Sequence, residues 1–233
     1  MQVRIRLFAM LRERAGTSEL ELELPDGARV RDALAAPAVA ALADGLSLVL
    51  AVNREYADED VALSPGDELA LVPPVSGGAP AADAPGDDVV AAAAPGDQHV
   101  RITDAPLSLD ALVERVRDTR AGAVVTFSGV TRDVPSLVYE AYAEMALGQM
   151  EAIVREAIER HGLCAAAAEH RIGTVPLSEP SVLVAVSAPH RPEAFQGARE
   201  IIDRIKAAAP IWKQEVEEGG AATWVQGTIP PVG

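Results

Sequence analysis

The sequence predicts an α+β protein made of two folded units joined by a tether. Three observations carry this prediction. Strand patterns with a period of two mix with helical patterns on both sides of the chain's middle. A stretch rich in alanine, proline and aspartate, residues 79–98, separates those two regions. The apolar share of 49% is enough to fill a core on each side, and 233 residues exceed the prior of about 150 for one domain.

In the first unit, Val3, Ile5 and Leu7 alternate with polar neighbours, and Leu20, Leu22 and Leu24 alternate with Glu19, Glu21 and Glu23. Both runs are half-buried strands by period. Leu11 to Gly16 forms a short turn or helix start between them. The spacing from Val30 to Leu42 is helical, and Pro37 is expected to kink or end that helix. Strands resume at Leu46–Val52 and Glu68–Val72, with Asn53 and Ser64-Pro65-Gly66-Asp67 as turns. The order is β-β-α-β-β, ending in Val75-Ser76-Gly77-Gly78. Residues 79–98 then read as a flexible, solvated linker that spans about 65 Å when fully extended.

The second unit, 99–233, mixes helices and strands. Ser108 is a plausible N-cap for a helix reaching Arg120 and closed by Gly122. Ala123–Phe127 and Leu137–Tyr142 read as strands. Met145–His161 is a helix with Met145, Met150, Ile153, Val154, Ala157 and Ile158 on one face and Gly162 as its C-cap. Cys164–Ile172 and Ser181–Ser187 are strands. Pro192 suits the first turn of a helix to about Ala209, where Pro210 stops it. Short strands near Trp212–Val216 and Thr223–Val225 flank Gly219-Gly220.

Composition excludes several classes. A net charge of -15 repels phosphate backbones, so no nucleic-acid partner is expected. No apolar run approaches the roughly 20 residues of a membrane span. Met1-Gln2-Val3-Arg4-Ile5-Arg6 is a strand pattern and not a signal peptide, which makes the cytoplasm the expected location. One cysteine permits no internal disulfide, and no metal site has the right spacing.

Four features could carry chemistry. Gly77-Gly78 ends a compact unit in a tail thin enough for a narrow site, although two glycines also suit an ordinary linker. Of 20 basic residues only Lys206 and Lys213 are lysines. A compact amine can act as acid, base or nucleophile where arginine cannot. The plain alternative is two exposed lysines. Pro210 lies between them, so they converge only if the chain folds back. His190 and Arg191 stand at a strand-to-helix junction where an anion could bind, or where Arg191 pairs with a surface carboxylate. Arg132 lies in the irregular stretch after Phe127-Ser128-Gly129-Val130-Thr131, where a lone arginine is usually solvated. His170-Arg171 falls inside a strand and reads as structural, and Cys164 beside four alanines reads as a small core residue. Together these residues suggest an enzyme acting on a small phosphorylated substrate, with a tail-bearing partner unit.

Residues 1–78, with their Gly-Gly tail, resemble the small, ubiquitin-like sulfur-carrier subunit of molybdopterin synthase. Residues 99–233 resemble that enzyme's large catalytic subunit. The second resemblance rests on Gly122-Ala123-Val124-Val125-Thr126-Phe127-Ser128-Gly129, His170-Arg171-Ile172-Gly173, Ser187-Ala188-Pro189-His190-Arg191 and Ala209-Pro210-Ile211-Trp212-Lys213. It implies a natural fusion: a β-grasp unit, a linker, and a hammerhead-like α/β unit with a mainly antiparallel sheet. It also implies a reaction, in which a thiocarboxylate on the carrier's last glycine gives sulfur to cyclic pyranopterin monophosphate and builds the dithiolene. Lys206 and Lys213 would be catalytic; Arg132, His190 and Arg191 would hold the substrate. No cofactor or metal is implied. The implied partners are a second copy, dimerising through the second unit, and an enzyme that adenylates and sulfurates the tail.

Two departures stand out. Only seven residues separate Arg132 from Glu140, where the family usually has a longer loop, and Thr228 falls near a position that is basic in some relatives. The fusion also leaves Gly78 in an amide with Ala79, so the resemblance requires a protease to cut after Gly78. If the chain stays whole, a separate carrier would serve the second unit. Two other readings are a ubiquitin-like modifier with a docking module, and a sulfur carrier for another pathway such as thiamine synthesis.

Overall fold

The computed structural model describes residues 1–75 and 97–225. Gly77, Gly78, the tether as far as residue 96, and Thr228 lie outside the described residues.

The first unit comprises β1 (Gln2–Leu7), α1 (Ala9–Ala15), β2 (Glu19–Glu23), α2 (Val30–Ala35), α3 (Pro37–Ala43), β3 (Val49–Val52), β4 (Glu55–Ala57) and β5 (Glu68–Val72). Its sheet has the order β2-β1-β5-β3-β4, with β1 and β5 parallel at the centre and the other pairs antiparallel. This is a ubiquitin-like β-grasp. Alternation in β1 points Val3, Ile5 and Leu7 into a core with Leu11, Val30, Val39, Leu69 and Leu71. Pro37 acts as its chemistry requires. Ala36 is extended (ψ 132°), α2 ends before it, and the proline opens a separate helix α3. The hairpin β3–β4 turns at Asn53 and Arg54, both at positive φ (51° and 75°), and β4 is a strand the sequence pattern did not suggest.

Leu69–Val72 is buried residue after residue, which means that β5 is covered on both faces. Leu69 and Leu71 face the unit's own helices. Ala70 and Val72, with Phe8, Val49 and Ala51, pack against Tyr142, Met145 and Trp212 of the second unit. The β-grasp sheet is therefore the middle layer between its own helices and the second unit.

The second unit comprises β6 (Asp97–Thr103), α4 (Leu109–Arg115), β7 (Ala123–Val130), β8 (Ser136–Ala141), α5 (Ala143–His161), β9 (Ala165–Arg171), β10 (Gly173–Pro176), β11 (Pro180–Ala188), α6 (Arg191–Ala208), β12 (Ile211–Val216) and β13 (Ala222–Trp224). Two four-stranded sheets, β6-β9-β11-β7 and β10-β8-β12-β13, are antiparallel except for the pair β6–β9. Helices α5 and α6 cover one face of the first sheet through Ile153, Ala157, Ile201 and Ile205, and α4 covers part of the other through Leu112. The four alanines of β9 and Cys164 are buried, small enough to be packed from both sides.

Several boundaries differ from the sequence pattern; β3 starts later, at Val49, and β7 runs on to Val130. Asp97 and Gln98, expected in the tether, begin β6, because the sheet extends their pairing along Ala165 and Ala166 of β9. The helix capped by Ser108 ends at Arg115 and not Arg120, since Arg120 instead folds back onto Asp118 through backbone and guanidinium bonds. The run Cys164–Ile172 is β9, and a further strand that the pattern did not suggest, β10, opens at Gly173, which has a positive φ of 75°.

Candidate functional site

The sheet β10-β8-β12-β13 has two working faces. Alternation on β12 sends Trp212 and Gln214 one way and Lys213 and Glu215 the other, and β8 follows in register, with Trp212 opposite Glu140 and Lys213 opposite Tyr139.

The even-numbered face holds the β-grasp unit. Phe8 stacks on both Tyr142 and Trp212, with ring centroids 4.8 and 5.1 Å apart. The Trp212 indole N–H donates to the Pro73 carbonyl at 3.1 Å, and the Tyr56 hydroxyl donates to the Ala208 carbonyl at 2.8 Å. Glu140 accepts the Ala9 N–H at 3.1 Å and pairs with Arg12 at 2.9 Å, so one carboxylate caps α1 across the interface. Tyr142 donates to Glu68, which also pairs with Arg6 at 3.3 Å. These contacts place the segment that follows β5, Pro73 to Val75, against β12.

The odd-numbered face walls a cavity of about 710 Å³. Lys206, on the last turn of α6, and Lys213, on β12, both line it. Pro210 ends the helix, Ala209 is extended (ψ 128°), and the chain reverses, which brings together the two lysines that a continuous helix would have had to align. Lys206 Nζ lies 5.6 Å from the centre of the Phe127 ring. Burial pulls the Lys213 ammonium below its ordinary value. The carboxylate of Glu215 opposes that change, and the charges of Lys206 and Arg132 add to it. The neutral amine is thereby easier to reach, as proton-transfer chemistry requires. Gly129 forms part of the wall where no side chain fits: a Cβ there would lie 2.7 Å from Val182 Cγ1.

Arg132 reaches the rim of this cavity, its side chain 86% exposed and 3.5 Å from Asp133. His190 and Arg191 do not reach it. They are exposed at the opposite end of α6, Arg191 fifteen and His190 sixteen residues before Lys206, or about 22–24 Å at 1.5 Å per residue. The histidine that lines the cavity is His170, which the strand pattern had marked as structural. Tyr139, Ser181 and Glu215 also line it. A signal for His170 existed in its position one residue from the end of β9, where a strand hands its last side chains to a neighbouring loop or cleft. Among the described residues no group of three or more His, Cys, Asp or Glu side chains is placed to hold a metal, and no helix is long and apolar enough to cross a membrane.

Comparison with known proteins agrees with this two-part organisation. Residues 102–208 match the family model described as MoaE protein, and residues 5–78 match that of the ThiS family. The molybdopterin synthase catalytic subunit of rice (Oryza sativa subsp. indica) is 46% identical over 141 residues, covering 57% of this chain and 73% of the relative. That of Thermoplasma volcanium is 43% identical over 132 residues, covering 54% of this chain and 96% of the relative. The crystal structure of molybdopterin synthase from Staphylococcus aureus is similar with a TM-score of 0.50 and 36% identity, covering 53% of this chain and 94% of that one. The second unit, with its paired lysines behind a docked β-grasp unit, belongs to the family of molybdopterin synthase catalytic subunits, and the chain is a fusion of that subunit with a ThiS-like domain, with a role in molybdopterin biosynthesis.

Proposed function

We propose that the chain is a sulfurtransferase that makes the molybdopterin dithiolene from cyclic pyranopterin monophosphate, with sulfur delivered as a thiocarboxylate on Gly78. One observation carries the reading: the carrier unit docks on one face of β12 and the cavity with both lysines opens on the other. Gly78 is three residues beyond Val75, a reach of about 10 Å, which is comparable to the separation of side-chain layers across a sheet. In this scheme Lys206 acts at the sulfur-transfer centre. Lys213, its ammonium weakened by burial, moves protons and stabilises developing negative charge. Arg132 at the rim supplies charge for the phosphate. The sulfur arrives on the carrier, so the scheme uses no resident cofactor.

Two consequences follow from the geometry. His190 and Arg191 can serve a cavity only if a second copy presents its α6 N-terminus there, so their role in substrate binding is tied to a homodimer. Gly78 must carry a free terminus, so a cut between Gly78 and Ala79 precedes loading by a tail-activating enzyme.

The test supplies carrier ending at Gly78 as thiocarboxylate, the second unit, and cyclic pyranopterin monophosphate, and measures dithiolene product. Conversion is expected, and Lys206→Ala or Lys213→Ala should abolish it. Undiminished conversion by both variants would end the proposal. Native chain that is never cut and is fully active would end the processing step.

A further inference from the structure

His170 is a cavity-lining group to which the proposed reaction gives no role, and its surroundings fix both its tautomer and its charge. Its Nδ1 lies 2.9 Å from the Arg171 backbone carbonyl. A carbonyl oxygen can only accept, so Nδ1 carries the hydrogen. The Tyr139 ring meets the imidazole edge-on at 5.1 Å and holds its plane. Burial pushes the His170 pKa down to about 4; the bond to Arg171 opposes this and Lys206 adds to it. Near neutral pH the ring is therefore uncharged, and Nε2 keeps a bare lone pair. Among the described residues none donates a hydrogen bond to that nitrogen.

Cations dominate this cavity. Lys206, Lys213 and Arg132 all offer donors. The two hydroxyls beside His170 spend their hydrogens within the wall, Tyr139 donating to Ser181 at 3.0 Å and Ser181 to the Gly129 carbonyl at 3.3 Å. A phosphate suits the cations but gains nothing from Nε2, because an ionised phosphate offers acceptors and not donors. A ring N–H or an exocyclic amine gains a bond there. A buried acceptor that stays neutral near Lys206 is also costly to leave unpaired once a ligand has displaced water from it.

We propose that His170 is a specificity-determining residue, whose Nε2 accepts a hydrogen bond from an N–H of a nitrogen heterocycle in the cavity while Arg132 at the rim serves that ligand's phosphate. This rests on the reading of the cavity as the pterin phosphate site. It predicts that the wall at His170 separates a heterocyclic phosphate from free phosphate.

The experiment measures binding to the full chain of two probes, cyclic pyranopterin monophosphate and inorganic phosphate, by calorimetry. His170→Asn keeps a donor for the Arg171 carbonyl but places nothing at Nε2. Affinity for the pterin phosphate should fall about tenfold, the equivalent of one neutral hydrogen bond, and affinity for inorganic phosphate should not change. His170→Gln, which can place an amide oxygen near the Nε2 position, should recover most of the loss. In turnover the His170→Asn loss should appear in KM more than in kcat. Equal weakening of both probes, or failure of Gln to rescue a folded protein, would show a merely structural histidine and overturn the inference. Unchanged pterin affinity in His170→Asn would overturn it too, while leaving the function standing. No binding of the pterin phosphate by the wild-type chain would overturn both.

Discussion

Replacing Phe8 by alanine should undock the carrier unit without unfolding it. Phe8 is 4% exposed and sits between Tyr142 and Trp212, and all of its aromatic neighbours belong to the second unit. In the undocked state its ring would face water, so its deletion falls mainly on the docking equilibrium. Truncating a buried phenylalanine costs about 3–5 kcal/mol. The lower end applies where the neighbouring rings can close part of the gap, which leaves about 3 kcal/mol, or roughly 10²-fold in the equilibrium. The Trp212 indole N–H reports the event directly, because its acceptor is the Pro73 carbonyl across the interface. Its hydrogen exchange in the intact chain should accelerate by about two orders of magnitude, while backbone amides of β1 and β11 keep their protection. Unchanged indole exchange in a folded Phe8→Ala protein would refute the assignment of docking energy to this stack.

Three further outcomes are expected. Lys213→Arg keeps a cation on β12 but removes a group able to release its proton, so single-turnover conversion should fall by about 10² or more with the melting temperature little changed; retained turnover would show that charge alone suffices. Gly129→Ala drives a Cβ to 2.7 Å from Val182 and 3.3 Å from Phe127, the ring beside Lys206. It should cost about 1–3 kcal/mol in denaturant unfolding, and a neutral result would mean that β7 and β11 shift apart freely. The last concerns pH. His170 is held neutral to about 4 in the folded protein, so above about 6.5 it contributes nothing to the pH dependence. As pH falls from there the unfolded chain binds a proton that the folded chain refuses, and stability drops by about 1.4 kcal/mol per pH unit. The wild type should therefore lose roughly 1–2 kcal/mol more than His170→Asn between pH 6.5 and 5 in urea titrations, and equal losses would remove His170 as the cause.

Most of the elements were legible because their signals are local. Alternation announced β1 and β2, and Ser108, Gly162 and Pro210 marked helix ends by backbone chemistry that acts within a few residues. The misplaced boundaries share a different cause. Asp97 and Gln98 have the composition of a tether and become strand only because β9 offers them partners. Arg120 leaves its expected helix for a nearby carboxylate. The hairpin at Asn53 and Arg54 lacks the glycine that usually betrays such a turn.

The candidate site divides in the same way. A chain with 18 arginines and two lysines singles out Lys206 and Lys213 by composition alone, and the fold places both on one cavity. Which histidine lines the cavity within one chain was settled by the fold. His190 stood at a helix N-terminus, where anions commonly bind, yet within one chain α6 carries it about 24 Å from Lys206. His170 sat in a run of buried residues that looked purely structural, and the end of β9 delivers it to the cavity wall. By itself the sequence determined the two units, the tail that ends the first, and the rare amines of the second, because composition and period are properties of the chain. Only the tertiary structure decided that Trp212 and Lys213, adjacent residues, face a docked β-grasp unit and a cavity on opposite sides of one strand. The physical reason is that alternation in a strand assigns faces, but what covers each face depends on partners distant in sequence.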